Sequence, residues 1–193
     1  MTDRQWPEAS ILTRSGNFFW PLEPEPADIR IDDIAHALAA VCRFTGHTTR
    51  PYTVAEHSIL VGSTLPEGTL RLWGLLHDAS EAYLSDVAGP IKKHLANYEE
   101  IEDRLMQCIA AKFGLPWPMP CEVKVADKYM LVVEQGSLMN YAGRDRPPLP
   151  DRQPLYSHEW DPGIFAPGDK DLIGKFRDQV FVNMRRHIGD LGP

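Results

Sequence analysis

The sequence is short of what several function classes require. Its three cysteines, Cys42, Cys108 and Cys121, are odd in number and far apart. No CxxC spacing exists for a zinc ribbon or a redox pair, so reduced, buried thiols in a cytoplasmic protein are expected. The longest strictly apolar run, Ala37 to Cys42, falls far short of the ~20 residues a membrane span needs. The start, Met1-Thr2-Asp3-Arg4, carries an acid early with no apolar stretch behind it, so no signal peptide is expected. Positive charge is also scarce: 20 Lys and Arg stand against 27 Asp and Glu, a formal net charge of −7. A surface that tracks a nucleic-acid polymer needs the opposite sign. A small anion in one pocket remains possible, because a metal and a few local cations outweigh a distant field. No internal repeat or heptad array is visible.

What is present fits an all-α bundle. A chain of 193 residues is expected to form a single domain, 1–193, with a real apolar core. Ile11-Leu12-Thr13 and Phe18-Phe19-Trp20 flank Arg14-Ser15-Gly16-Asn17, a hairpin-like arm, and Pro21, Pro24 and Pro26 then block regular structure. The core is expected at about 31–140. Asp32 is a candidate N-cap for a helix through Phe44, with Ile34, Leu38, Val41 and Cys42 as its apolar positions. A polar loop, Thr45 to Pro51, leads to a second helix over about 53–64. A third follows Pro66-Glu67-Gly68 and runs from Thr69 to about Leu84. A fourth covers about 97–113 and stops at Gly114, and a fifth runs from about Cys121 to Met139. Residues 143–170 form a long proline-rich excursion, of a length that is functional, interface-forming or disordered. Asp171 opens a last helix through about His187.

Three segments carry candidate chemistry. An isolated His-Asp dipeptide is close to chance expectation, but His77-Asp78 follows the apolar run Leu72-Trp73-Gly74-Leu75-Leu76. That run delivers an imidazole and a carboxylate into a buried helix, which is costly unless they are paired or bind a metal. On a continuous helix Glu81 falls between their directions, four residues after His77 and three after Asp78. A hydrogen-bonded His–Asp–Glu cluster fits that face equally well. His57, in Val54-Ala55-Glu56-His57-Ser58, reads alone as a structural histidine or a ligand. Asp127, in Val123-Lys124-Val125-Ala126-Asp127-Lys128, pairs with a neighbouring lysine or points inward. Glu134 lies two turns further along the same face.

Taken together, His57, His77-Asp78 and Asp127 on three long helices resemble the HD-domain metal-dependent phosphohydrolases. The similarity is to the branch of bacterial 5′-deoxynucleotidases and phage deoxynucleoside triphosphate hydrolases, and it covers about residues 11–140. It is carried by Asp33-Ile34-Ala35-His36-Ala37-Leu38, Cys42-Arg43-Phe44-Thr45-Gly46-His47, Val54-Ala55-Glu56-His57-Ser58, Gly74-Leu75-Leu76-His77-Asp78-Ala79-Ser80-Glu81-Ala82-Tyr83 and Asp86 with Gly89-Pro90-Ile91-Lys92.

The resemblance implies one divalent metal (Mn, Co, Zn, Ni, Fe or Mg) held by His57, His77, Asp78 and Asp127, a mixed nitrogen and oxygen set with room for water. It implies that Glu81 and Asp86 act in catalysis, dividing water orientation and leaving-group protonation between them. Arg43 becomes the leading phosphate ligand, since a guanidinium gives bidentate contacts to phosphate. The aromatic after that arginine is usually Trp in the monophosphatases and is Phe44 here. Lys92 is a second phosphate candidate or part of a solvated patch, His47 reaches substrate or stabilises its loop, and His36 reads as a structural histidine, either in the core or supporting the ligand residues. The expected activity is a 5′-deoxynucleotidase that converts a deoxynucleoside monophosphate to nucleoside and phosphate. The alternatives are a triphosphohydrolase releasing triphosphate, a non-catalytic nucleotide-sensing HD domain, and a structural protein whose His and Asp residues are merely paired. A homodimer is compatible with the proline-rich loop, which could equally act as a lid.

Overall fold

A computed structural model of the protein describes residues 9–154 and 171–190. Among them the architecture is all-α with one small hairpin. Strands β1 (Ile11–Leu12) and β2 (Phe18–Phe19) pair antiparallel, Ile11 opposite Phe19 and Leu12 opposite Phe18. Helices α1 (Ile31–Leu38), α2 (Val54–Ser63), α3 (Thr69–Leu76), α4 (Glu81–Leu84), α5 (Gly89–Lys92), α6 (Tyr98–Phe113), α7 (Cys121–Leu138) and α8 (Leu172–Asp190) follow. No described helix is long and apolar enough to cross a membrane.

Helix α2 is the centre of the bundle. Thr53 and Glu56 close a reciprocal capping box at its start: the Glu56 amide donates to Thr53 Oγ1 at 3.3 Å, and the Thr53 amide donates to Glu56 Oε2 at 2.8 Å. Every residue from Val54 to Gly62 is buried, the pattern of a helix covered on all sides. At the other end, Arg71 Nε donates to the Gly62 and Leu65 carbonyls at 3.2 and 3.0 Å, satisfying acceptors that the helix leaves open. The α2–α3 crossing depends on two glycines. A methyl group on Gly74 would lie 2.9 Å from Gly62 Cα and 2.8 Å from a Leu65 methyl, so only glycine allows this approach. His57 and His77 both lie on the side of that crossing away from the connecting turn. Leu172, Phe176 and Val180 of α8 join the same apolar core as Leu72, Trp73, Leu75 and Leu76 of α3.

Several expectations need correction. Helix α1 begins at Ile31 and stops at Leu38, well short of Phe44. Asp32 sits inside its first turn and caps nothing; it pairs with Arg177 of α8. Neighbouring Asp33 binds the hairpin turn, accepting the Ser15 amide and hydroxyl at 2.7 Å each. The helix ends early because residues 41–43 pair with 52–54 through an extended bridge: the Arg43 amide donates to the Tyr52 carbonyl and the Val54 amide to the Val41 carbonyl, each at 3.0 Å.

The expected helix from Thr69 to Leu84 is broken at its chemistry. Residues 77–80 tighten into three-residue turns, with the Ala79 amide on the Leu76 carbonyl and the Glu81 amide on the Asp78 carbonyl. The His77 ring supplies a cause: its Nδ1 donates to the Gly74 carbonyl at 2.8 Å, the acceptor that a continuing helix offers to Asp78. Cys42 and Cys121 are exposed and only Cys108 is buried, since Cys42 lies on the surface bridge and Cys121 opens α7. His36 is half-buried beside a cavity rather than in the core. The proline-rich excursion has no regular structure over 143–154; the remainder of that expectation lies outside the described residues.

Candidate metal centre

The helix ends and the glycine crossing bring four of the expected residues to one point. His57 Nε2 lies 3.2 Å from His77 Nε2, 3.2 Å from Asp127 Oδ1 and 3.6 Å from Asp78 Oδ2. His77 Nε2 lies 3.2 Å from Asp78 Oδ2 and 3.7 Å from Asp127 Oδ1. His57, His77 and Asp127 offer ligand atoms all within 4.8 Å of one another, and Asp78 Oδ2 lies within 3.6 Å of both imidazoles.

The outer ring nitrogens are fixed by acceptors. His57 Nδ1 is 2.6 Å from Glu134 Oε1, and His77 Nδ1 is 2.8 Å from the Gly74 carbonyl. A carbonyl and a carboxylate both demand a donor, so each neutral ring carries its proton on Nδ1 and turns a bare Nε2 lone pair inward. Two neutral rings turned this way place two lone pairs 3.2 Å apart between two carboxylates, an arrangement that can hold a cation. Donors held about 2.1 Å from one ion lie roughly 3.0–3.4 Å apart at bond angles of about 90–109°. Three of the separations, each 3.2 Å, fall within that spacing and two, at 3.6 and 3.7 Å, lie slightly above it, so the donor set suits a divalent metal in chemistry and is close to it in distance.

The same electrostatics governs protons. Burial disfavours charge on His77, but Asp78 and Asp127 outweigh it and raise the ring's pKa well above its ordinary value. Burial and the Arg43 cation work against charge on His57; Glu134 and Asp127 overcome both and raise its pKa. Burial pushes the other way on the acids too, yet His77 and His57 hold Asp78 below its ordinary range. Hydrogen bonding to the two rings holds Asp127 well below it against the same burial.

Glu134 is the residue whose role the sequence did not disclose, although its position on the Asp127 face was visible. It is 0% exposed. Besides His57, its Oε1 accepts the Tyr52 hydroxyl at 2.7 Å, and its Oε2 faces Arg43 Nε at 3.3 Å as an ion pair without hydrogen-bond alignment. Burial raises the Glu134 pKa, but His57 and Arg43 outweigh it and keep the carboxyl below its usual range. Arg43 also reaches Asp78 Oδ2 through Nη1 at 3.3 Å, so one guanidinium ties the carboxylate behind His57 to the carboxylate beside His77.

Immediately after Arg43 the chain makes a single left-handed turn, with φ of 54° at Phe44, 51° at Thr45 and 78° at Gly46. Phe44 and Thr45 are not suited to that region, at a cost of about 1–2 kcal/mol per residue. The turn leaves the Phe44 ring against the Arg43 guanidinium, 5.5 Å from centroid to Cζ.

Two cavities flank the cluster and share Asp78, Lys92 and Asp127. One, of ≈ 410 Å³, is lined by Arg43, Phe44, Glu81 and Asp86. The other, of ≈ 380 Å³, extends toward the α6–α7 connection. Either is large enough for a small organic ligand. Glu81 is buried, its Oε2 has no hydrogen-bond partner, and burial followed by the Asp78 and Asp86 charges pushes its pKa up to about 10. Burial, outweighing Arg43, also raises Asp86. Lys92 Nζ binds Glu102 Oε1 at 2.7 Å and lies 5.1 Å from the Tyr98 ring centroid. His47 is exposed beyond the left-handed turn and lines neither cavity. The structure thus brings together Arg43, Phe44, His57, His77, Asp78, Glu81, Asp86, Lys92 and Asp127, and leaves His47 outside.

No family model matches the chain. Similar proteins include the uncharacterized protein YfdR of Escherichia coli, 39% identical over 128 residues that cover 66% of this chain and 71% of YfdR. The uncharacterized protein RCAP_rcc00048 of Rhodobacter capsulatus is 43% identical over 116 residues, covering 55% of this chain and 59% of that protein.

Proposed function

We propose that this chain, which belongs to the family of YfdR, is a divalent-metal-dependent phosphohydrolase of the HD type that acts as a 5′-deoxynucleotidase. The observation that carries the reading is the pair of inward-facing Nε2 atoms 3.2 Å apart, set between two carboxylates and near a buried glutamate, Glu81, whose Oε2 has no hydrogen-bond partner. Two neutral imidazoles would leave the charges of Asp78 and Asp127 largely uncompensated, and a divalent ion would balance them. A phosphate ester, in turn, meets Asp78, Glu81, Asp86 and Asp127 on entering the cleft, and needs a cation among them.

A metal held by His57, His77, Asp78 and Asp127 supplies Lewis acidity toward a phosphoryl oxygen and toward water. The chain's own groups do the rest. Arg43 is anchored by Asp78 and Glu134 and offers a fixed guanidinium at the cavity wall for the remaining phosphoryl oxygens. Glu81, whose Oε2 has no partner, would give a proton to the departing oxygen, while the half-buried Asp86 would orient the attacking water and take up its proton. Lys92 adds positive charge where the two cavities meet.

The monophosphate is preferred over the triphosphate because both cations of the cavity that holds Glu81 and Asp86 are already engaged, Arg43 with two acids and Lys92 with Glu102. Little positive charge remains for a polyphosphate tail. A panel of deoxy- and ribonucleoside mono- and triphosphates, assayed with Mn²⁺, Co²⁺, Zn²⁺ and Mg²⁺, tests the reading. Metal-dependent release of inorganic phosphate from deoxynucleoside monophosphates is expected. Release of triphosphate would move the activity to the α-phosphate, and no release from any ester would remove the enzymatic assignment.

A further inference from the structure

Trp117 is out of keeping with its surroundings. It lies in the α6–α7 connection and remains 38% exposed, although it is a large aromatic residue beside a buried cluster. Trp73, 0% exposed, stands behind it with ring centroids 6.2 Å apart and planes inclined by 41°, so the indole is seated on the core. Trp117 lines the ≈ 380 Å³ cavity that also contains His77, Asp78 and Asp127. Met106 and Met119 line the same cavity, and polarizable thioethers favour contact with aromatic rings. Its polar lining includes Ser80, Asp103 and Lys124.

The two flanking cavities differ in a way that orients a substrate. Arg43, Glu81 and Asp86 all belong to the one without Trp117, and the shared boundary is formed by Asp78, Lys92 and Asp127. A phosphoryl group at that boundary has its charge-binding and proton-transferring groups on one side. Its organic substituent then lies on the other. An aliphatic group would use the indole only as apolar area and leave the hydroxyl, carboxylate and ammonium groups of the lining without partners. A flat ring with donors and acceptors on its edge uses both.

We propose, on the phosphohydrolase reading above, that this cavity is the subsite for the aromatic base of the nucleotide, with Trp117 as its stacking face. The residue sets specificity and takes no part in proton transfer. The test compares a deoxynucleoside 5′-monophosphate with base-free deoxyribose 5-phosphate on the Mn²⁺-loaded full chain, for wild type, Trp117→Ala and Trp117→Phe. Trp117→Ala should raise KM for the nucleotide about tenfold with little change in kcat, erasing its preference over the base-free ester, and Trp117→Phe should restore most of it. Equal losses on both esters, or none on either, would overturn the subsite. If wild type hydrolyses neither ester, calorimetric binding of the nucleotide decides. Binding weakened by Trp117→Ala keeps the subsite and removes the hydrolase, binding indifferent to the substitution removes the subsite, and no binding removes both.

Discussion

His187 and His57 are both buried histidines, 2% and 0% exposed, and their surroundings complete them in opposite ways. His187 of α8 donates from Nε2 to the Gly114 carbonyl at 2.8 Å and accepts the Thr69 hydroxyl at Nδ1 at 2.7 Å. Uncharged partners satisfy both nitrogens of a neutral ring, and the residue ties α8 to the start of α3 and the end of α6. His57 has one nitrogen satisfied by Glu134, while the other faces His77 Nε2, Asp127 and Asp78. Burial is common to both sites and marks neither as functional. What distinguishes the second is a ring nitrogen set against another imidazole and two carboxylates instead of uncharged partners.

Substitutions at the two sites should act on different properties. Asp78→Ala has the largest expected effect: loss of retained metal, measured by elemental analysis, and of all phosphate release. Glu81→Ala should retain the metal but lower kcat by at least about 100-fold, the scale of a positioned proton donor. Wild-type turnover in that variant would remove its catalytic role. Glu134→Gln leaves side-chain volume nearly unchanged but weakens the anchor on His57; metal affinity, read by chelator competition, should fall about 10- to 100-fold. His187→Ala is the smallest effect at the centre, with metal content unchanged and denaturant stability lowered by about 1–3 kcal/mol. A lowered metal occupancy in that variant would show that the two histidine environments are not separate.

Legibility in the sequence followed the range of the interactions. Helices α2, α6 and α7 lie close to their expected bounds, α2 through its local Thr53–Glu56 box and α6 through Gly114, which takes φ 67°. Helix α1 was overrun because what ends it is a bridge between residues 41–43 and 52–54, invisible to periodicity. The break after Leu76 arises from a side chain competing for a backbone carbonyl, again not a matter of pattern. At the site, His57, His77, Asp78 and Asp127 were legible as polar residues in apolar helices. Glu134 shared the Asp127 face, but its role needed Tyr52 and Arg43, which the bridge between residues 41–43 and 52–54 brings together. Trp117, enclosed by Pro116 and Pro118, offered no periodic signal at all.

The proposed phosphohydrolase activity requires that the cluster hold a metal. The most direct test of that requirement is the divalent-ion content of the wild-type chain after reconstitution with Mn²⁺ and removal of free ion. About one ion per chain is predicted, falling to background in Asp78→Ala. A wild-type chain that retains no ion, or an Asp78→Ala chain that retains as much as wild type, would contradict the account.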